Sequence, residues 1–254
     1  MSYCYFYGIV PVSEGRRVQS IRANGGTAWH MVYDTMFVTE SGNDIDGTLR
    51  AFAPASASIL QSNTLTIVHG KFTIPPTGKD GKMPEYTIEA ISNQPFLADP
   101  TREDFDSFLP EDTMPFFSLL GTVVGSVVQM ADNGKAIDIR VSSYIQNKIV
   151  DCMIRCRVFS LINSWLNIRR CRFPPNPRWA RVNIPIAGSV IAIIGRPHSI
   201  TGSADSWLLI LTIEDIVYNP GAPHILADPK KEASSSPRRL QIKKRKRTDG
   251  KSYI

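Results

Sequence analysis

Ala136-Ile137-Asp138-Ile139-Arg140-Val141-Ser142-Ser143-Tyr144-Ile145-Gln146-Asn147-Lys148-Ile149-Val150-Asp151-Cys152-Met153-Ile154-Arg155-Cys156-Arg157-Val158 is the stretch that decides the fold. In its first half Ile137, Ile139, Val141 and Ile145 alternate with Asp138, Arg140, Ser142 and Tyr144, the period of a strand with one wet face. Beyond Lys148 the phase inverts, so that Val150, Cys152, Ile154, Cys156 and Val158 form the inward set and Asp151, Met153, Arg155 and Arg157 the outward one. A two-residue turn at Asn147-Lys148 puts both apolar sets on one side, with Asn tolerating the positive φ such a turn requires. That register pairs Tyr144 with Asp151, Ser142 with Met153 and Asp138 with Arg157. It sets Arg140 directly opposite Arg155, which costs stability unless an anion lies across the pair.

Outward from this hairpin, the second half carries strand signals at Phe116 to Met130, Gly188 to Arg196 and Ser206 to Tyr218. A helix is expected from near Ser160, carrying Ile162, Trp165, Leu166 and Ile168 toward Arg169-Arg170. Five strands with one helix after the third is the order of an OB-fold, a small Greek-key barrel. The first half repeats the ending: Ile67-Val68-His69-Gly70-Lys71 resembles Ile193-Ile194-Gly195-Arg196, and each is followed by a polar loop and a closing strand, Tyr86 to Ile91 or Trp207 to Ile213. The expected fold is therefore all-β: two OB-fold-like five-stranded Greek-key barrels in tandem, with a disordered basic C-terminal tail. The boundaries expected are an acidic barrel over 1–98, an acidic linker over 99–115, a basic barrel over 116–220 and the tail over 221–254.

Charge separates these parts. The last 25 residues net +8 against +6 for the whole chain, while 1–115 nets −6 and 116–228 nets +4. In the tail, Lys230-Lys231 and, after eleven residues, Lys243-Lys244-Arg245-Lys246-Arg247 match a bipartite nuclear import signal, read by an import receptor. A self-repelling arm that binds any polyanion is the compatible plainer reading. A nuclear location is expected. The acidic first barrel reads as a docking domain for a protein partner, since its charge repels phosphates.

The second and third strands of an OB barrel, with the loops flanking them, form a groove for single-stranded nucleic acid, which needs cations for phosphates and rings for unpaired bases. Arg140, Arg155 and Arg157 supply the cations and Tyr144 the ring, with Lys135 in the first loop and Arg196 and His198 at the start of the last. The competing reading is a solvated face on which Arg157 pairs with Asp138. A second cluster, Arg169, Arg170, Arg172, Arg178 and Arg181, interleaves with Trp165, Phe173 and Trp179; arginine both stacks and charges. Trp165, at helical spacing, also fits a core position.

With its strand order, its glycine-containing first strand (Gly121, Gly125) and this groove chemistry over 116–218, the chain resembles the tandem OB-fold proteins that bind single-stranded DNA, of the replication protein A or telomere-binding type. The resemblance implies non-catalytic binding of DNA or RNA in the nucleus, without a cofactor. The rival reading is a scaffold subunit of a nuclear complex, acting through protein contacts, with only the tail on nucleic acid.

Enzyme signatures are missing: there is no GxSxG elbow, no phosphate-binding GxxxxGK[ST] and no HExxH. Cys4, Cys152, Cys156 and Cys171 form no CxxC pair and, with four scattered histidines, no zinc spacing, so reduced thiols and no metal are expected. Asp44 with Asp46, and Glu214 with Asp215, read as solvated carboxylates. No uncharged apolar run approaches the ~20 residues of a membrane span, and the N-terminus lacks a basic leader, which points to a soluble intracellular protein.

Overall fold

The computed structural model describes residues 2–21, 25–54, 56–78, 82–96, 105–110, 112–130, 135–158, 184–203 and 206–218. The expected helix after Ser160, the cluster from Arg169 to Arg181 and the tail from 221 lie outside them. Among the described residues run β1 (Tyr3–Ile21), β2 (Thr27–Val38), β3 (Asp44–Phe52), β4 (Thr64–Thr73), β5 (Tyr86–Pro95), β6 (Phe116–Gln129), β7 (Lys135–Ile145), β8 (Lys148–Val158), β9 (Val190–Ser203) and β10 (Ser206–Tyr218), with one 3-10 turn at Phe105–Phe108.

The first five strands close in the order β1-β2-β3-β5-β4-β1 and the next five repeat it as β6-β7-β8-β10-β9-β6. In each set the third and fifth strands run parallel, Leu49 beside Ile88 and Ile154 beside Leu209. That closure is the five-stranded Greek-key arrangement of the OB barrel, present twice. Serving two neighbours forces each first strand to bend. β1 does so at a bulge between Ser13 and Arg16, and β6 between Val124 and Val128, where Gly125 takes φ 75°. Gly121 is needed for a different reason, because a Cβ there would lie 2.6 Å from the Arg140 carbonyl oxygen.

The two barrels share one sheet. β1 pairs antiparallel with β6 from Tyr3 opposite Leu120 to Tyr7 opposite Phe116, with Phe6 facing Phe117. Their fully buried rings meet edge to face, centroids 5.5 Å apart. Each has a glycine on its other flank, Gly70 opposite Phe6 and Gly195 opposite Phe117. The repeated segment of the sequence thus occupies the same place in both barrels. A Cβ on Gly70 would sit 2.7 Å from the Glu89 carbonyl oxygen and one on Gly195 2.5 Å from that of Thr212, so neither position has room for a side chain. One apolar core runs through both barrels, from Ile45, Leu49 and Tyr86 in the first to Ile154, Cys156 and Leu211 in the second.

Contacts across the junction are reciprocal. The β2–β3 turn of the first barrel donates from the Glu40 and Ser41 amides to the Pro197 and His198 carbonyls of β9, both at 2.9 Å. The β7–β8 turn of the second donates from the Gln146 amide to Glu89 of β5, 3.2 Å, and accepts at the Tyr144 carbonyl from Lys71 of β4, 3.1 Å. Met1–Pro220 accordingly forms one compact unit.

Candidate nucleic-acid interface

The β7–β8 hairpin has the expected faces but a different register. Gln146 (φ 51°) and Asn147 (φ 63°), not Asn147 and Lys148, make the turn, the paired positive φ values of a type I′ connection. Every pair therefore shifts by two residues: Asp138 lies opposite Arg155, Arg140 opposite Met153, Ser142 opposite Asp151, Tyr144 opposite Ile149 and Ala136 opposite Arg157. The expected Arg140–Arg155 like-charge pair does not form, and its inference of a bound anion falls with it. Arg155 instead donates through Nε and Nη2 to both carboxylate oxygens of Asp138, 2.7 and 2.9 Å. That bidentate pair raises the guanidinium pKa and neutralises the centre of the face. The register sets Arg157 opposite Ala136, and Asp138 faces Arg155 instead.

Three more of the expected groove residues are held by internal partners, and one of them, His198, reaches the first barrel. Arg157 donates to His198 Nε2 at 2.7 Å, and because a guanidinium has no acceptor, that nitrogen must accept. Nδ1 then carries the proton and donates to Glu40 Oε2 at 2.8 Å, where the Thr212 hydroxyl also donates, 2.9 Å. Burial pulls the Arg157 pKa down against the attraction of Glu40. Arg196 bonds to Glu214 and Asp112 and lies 4.2 Å over the Phe116 ring. Burial favours the neutral form of Asp112, but the bond and charge of Arg196 together with a bond from the Met114 amide outweigh this and hold the carboxyl below its ordinary range. Neither Arg196 nor His198 stands in a loop, because β9 continues to Ser203, past the expected end at Arg196.

What remains outward on the second and third strands is Lys135, Arg140 and Tyr144, all exposed, with Tyr144 at 55%. Lys71 of the first barrel stands 5.7 Å from the centre of the Tyr144 ring. Arg169, Arg170, Arg172, Arg178, Trp179 and Arg181 lie outside the described residues.

Two surfaces went unread in the sequence. On the equivalent face of the first barrel, β2 and β3 hold His30 opposite Phe52, with Arg50 Nη2 3.2 Å from His30 Nδ1 and Phe52 60% exposed. Arg16 stands on the neighbouring β1, opposite Val32. The −6 of 1–115 had argued against such a surface, but the linker 99–115 alone carries −5 and the barrel 1–98 only −1. The second surface is the outer side of β1. Cys4 and Phe6 point inward, so Tyr3, Tyr5 and Tyr7 line the opposite side, an alternation that was legible in Tyr3-Cys4-Tyr5-Phe6-Tyr7. Ring centroids are 5.0 Å apart for Tyr3 and Tyr5, 5.6 Å for Tyr5 and His69, and 4.3 Å for Tyr7 and His69, the last two rings being nearly parallel.

No protein-family model matches this chain, and no curated protein does. Among the solved structures that resemble it are two of one protein. One is the wild-type single-stranded DNA-binding protein from Thermus aquaticus, 10% identical, TM-score 0.44, covering 94% of this chain and 96% of that chain. The other is a deletion mutant of the same protein, 11% identical, TM-score 0.44, covering 85% and 93%. The barrel assignment stands on strand order and pairing register, which are this chain's own.

Proposed function

We propose that this protein binds single-stranded nucleic acid, without catalysis, on the outer faces of the second and third strands of its barrels, and that its basic tail directs it to the nucleus. One observation carries the reading: both hairpin faces present a half-exposed ring beside a cation, Phe52 with Arg50 and Tyr144 with Lys71, while Arg140 stands further along β7 on the same face. Rings stack on unpaired bases and cations follow phosphates, a combination a duplex with its bases paired inward cannot use as fully. The loss of Arg155, Arg157, Arg196 and His198 to internal partners narrows the second groove. The first barrel, near neutral once the linker is set aside, compensates by adding a second face.

The test is fluorescence anisotropy of the chain shortened to residues 1–228, which removes both basic clusters of the tail, against single- and double-stranded oligonucleotides at several salt concentrations. Preference for single strands, with a logarithmic salt slope of about −0.7 per phosphate neutralised, supports the reading. Absence of binding leaves the scaffold reading. For import, a reporter fusion with Lys243, Lys244, Arg245, Lys246 and Arg247 replaced by Gln should stay in the cytoplasm; nuclear accumulation of that variant removes the signal from consideration.

A further inference from the structure

The Tyr3, Tyr5, Tyr7 and His69 ladder belongs to neither hairpin face. It lies on the central strands where the barrels join, with β4 on one side of β1 and β6 on the other. We propose that this ladder is a stacking surface on which a single strand crosses from one barrel to the other, ending in the cleft between them, where one unpaired base is held. The inference rests on the single-strand binding proposed above.

Continuity is the first ground. Lys71 is the register neighbour of Tyr5, and its ammonium contacts the carbonyl and approaches the ring of Tyr144. A strand seated on Tyr144 therefore meets the ladder without a break. The cleft is the second ground. A cavity of about 370 Å³ is lined by Tyr7, His69 and Phe116 together with the polar Ser92, Gln94 and Asp112, a volume within the range of small-ligand sites. Tyr7 and His69, already stacked, form one wall, and Phe116 carries Arg196 over its ring. Charge and polarity are the third ground. Lys71 flanks the ladder, the charge of Arg196 being met by Glu214 and Asp112, while His69 Nε2 is buried with no hydrogen-bond partner. A base brings a flat ring and a polar edge. An apolar peptide segment would leave the amide of Gln94 and the imidazole of His69 unpaired, which is costly.

The experiment measures binding of the full chain to thymidine oligonucleotides of about 8 and about 30 nucleotides, spanning one OB site and more than two, with excess duplex competitor present to occupy the tail. Tyr7 is 42% exposed on the outside of its strand, so Tyr7→Ala leaves the core intact, which an unchanged melting temperature checks. The expected result is that Tyr7→Ala weakens the long oligonucleotide by roughly fivefold to 150-fold, the range for one lost stacking contact. The short one keeps its affinity, and Tyr7→Phe, which retains the ring, binds both as wild type. If Tyr7→Ala leaves long-strand affinity unchanged while Tyr144→Ala reduces it, the ladder proposal is overturned and groove binding stands. If the wild-type protein shows no single-strand preference at either length, both fall together.

Discussion

Removing the Tyr144 ring by substitution to alanine deletes the stacking plane of the second groove without touching the core, because that side chain stands on the wet face of β7. The loss expected in single-strand affinity is about 1–3 kcal/mol, read by anisotropy; an unchanged affinity would take Tyr144 out of the site. Arg140→Ala should instead shift the logarithmic salt slope by about 0.7, one phosphate contact, with affinity falling alike for all sequences. Arg155 behaves differently, since its charge is already committed to Asp138. The three described thiols set a pH limit. Burial raises Cys4, Cys156 and Cys152 above the ordinary thiol range, Cys152 to about 11. A raised folded pKa contributes stability that is intact below the unfolded value, about 8.5, and declines as pH rises through the folded one. The unfolding free energy from urea titration should therefore hold to about pH 8.5 and then fall by up to ~1.4 kcal/mol per pH unit per thiol. Thiol reagents at pH 7 should label the three only as fast as the protein opens.

At the scale of the element, the hairpin turn is the informative case. Gln146 sits at φ 51°, where a side chain other than Asn or Asp is strained, and its amide holds Glu89 of the other barrel. Gln146→Asn keeps that backbone bond while suiting the turn, so a gain of about 0.5 kcal/mol in thermal unfolding is expected; a loss would show that the Gln side chain contributes more than the backbone conformation costs. The turn also explains how much of the site could be read in advance. Alternation assigned Tyr144 and Arg140 to the wet face and Ile139 and Ile154 to the core, and those assignments survive because a shift of two residues preserves every face. The same shift exchanges every cross-strand partner, so Arg155 found Asp138 where Arg140 had been expected.

For the whole molecule, the shared core makes the two barrels one cooperative system. Phe117→Ala should cost about 3–5 kcal/mol, as a large buried ring does. It should lower hydrogen-exchange protection in β2 and β4 as well as in β7 and β9, because Phe117 packs directly on Phe6 and Phe72 of the first barrel. Protection lost in the second barrel alone would mean that the barrels unfold separately. The ionic contacts add orientation to this apolar joint: Glu40, His198, Arg157 and Thr212 lock one corner, and Lys71, Glu89 and the β7–β8 turn the other.

Sequence by itself determined the strands of the second barrel, the inward and outward faces of its hairpin, the repeated glycine before a base at the fourth strand and the five-strand plan used twice, since each depends on short-range periodicity and on backbone room. Tertiary structure alone decided the hairpin register, the capture of Arg157 by His198 and of Arg196 and His198 by acids as far away as Glu40, and the placing of Tyr3, Tyr5 and Tyr7 across the seam between barrels. Those outcomes turn on which distant strands close against one another. A two-residue period is blind to shifts of two, and a charge in the sequence carries no address for its partner.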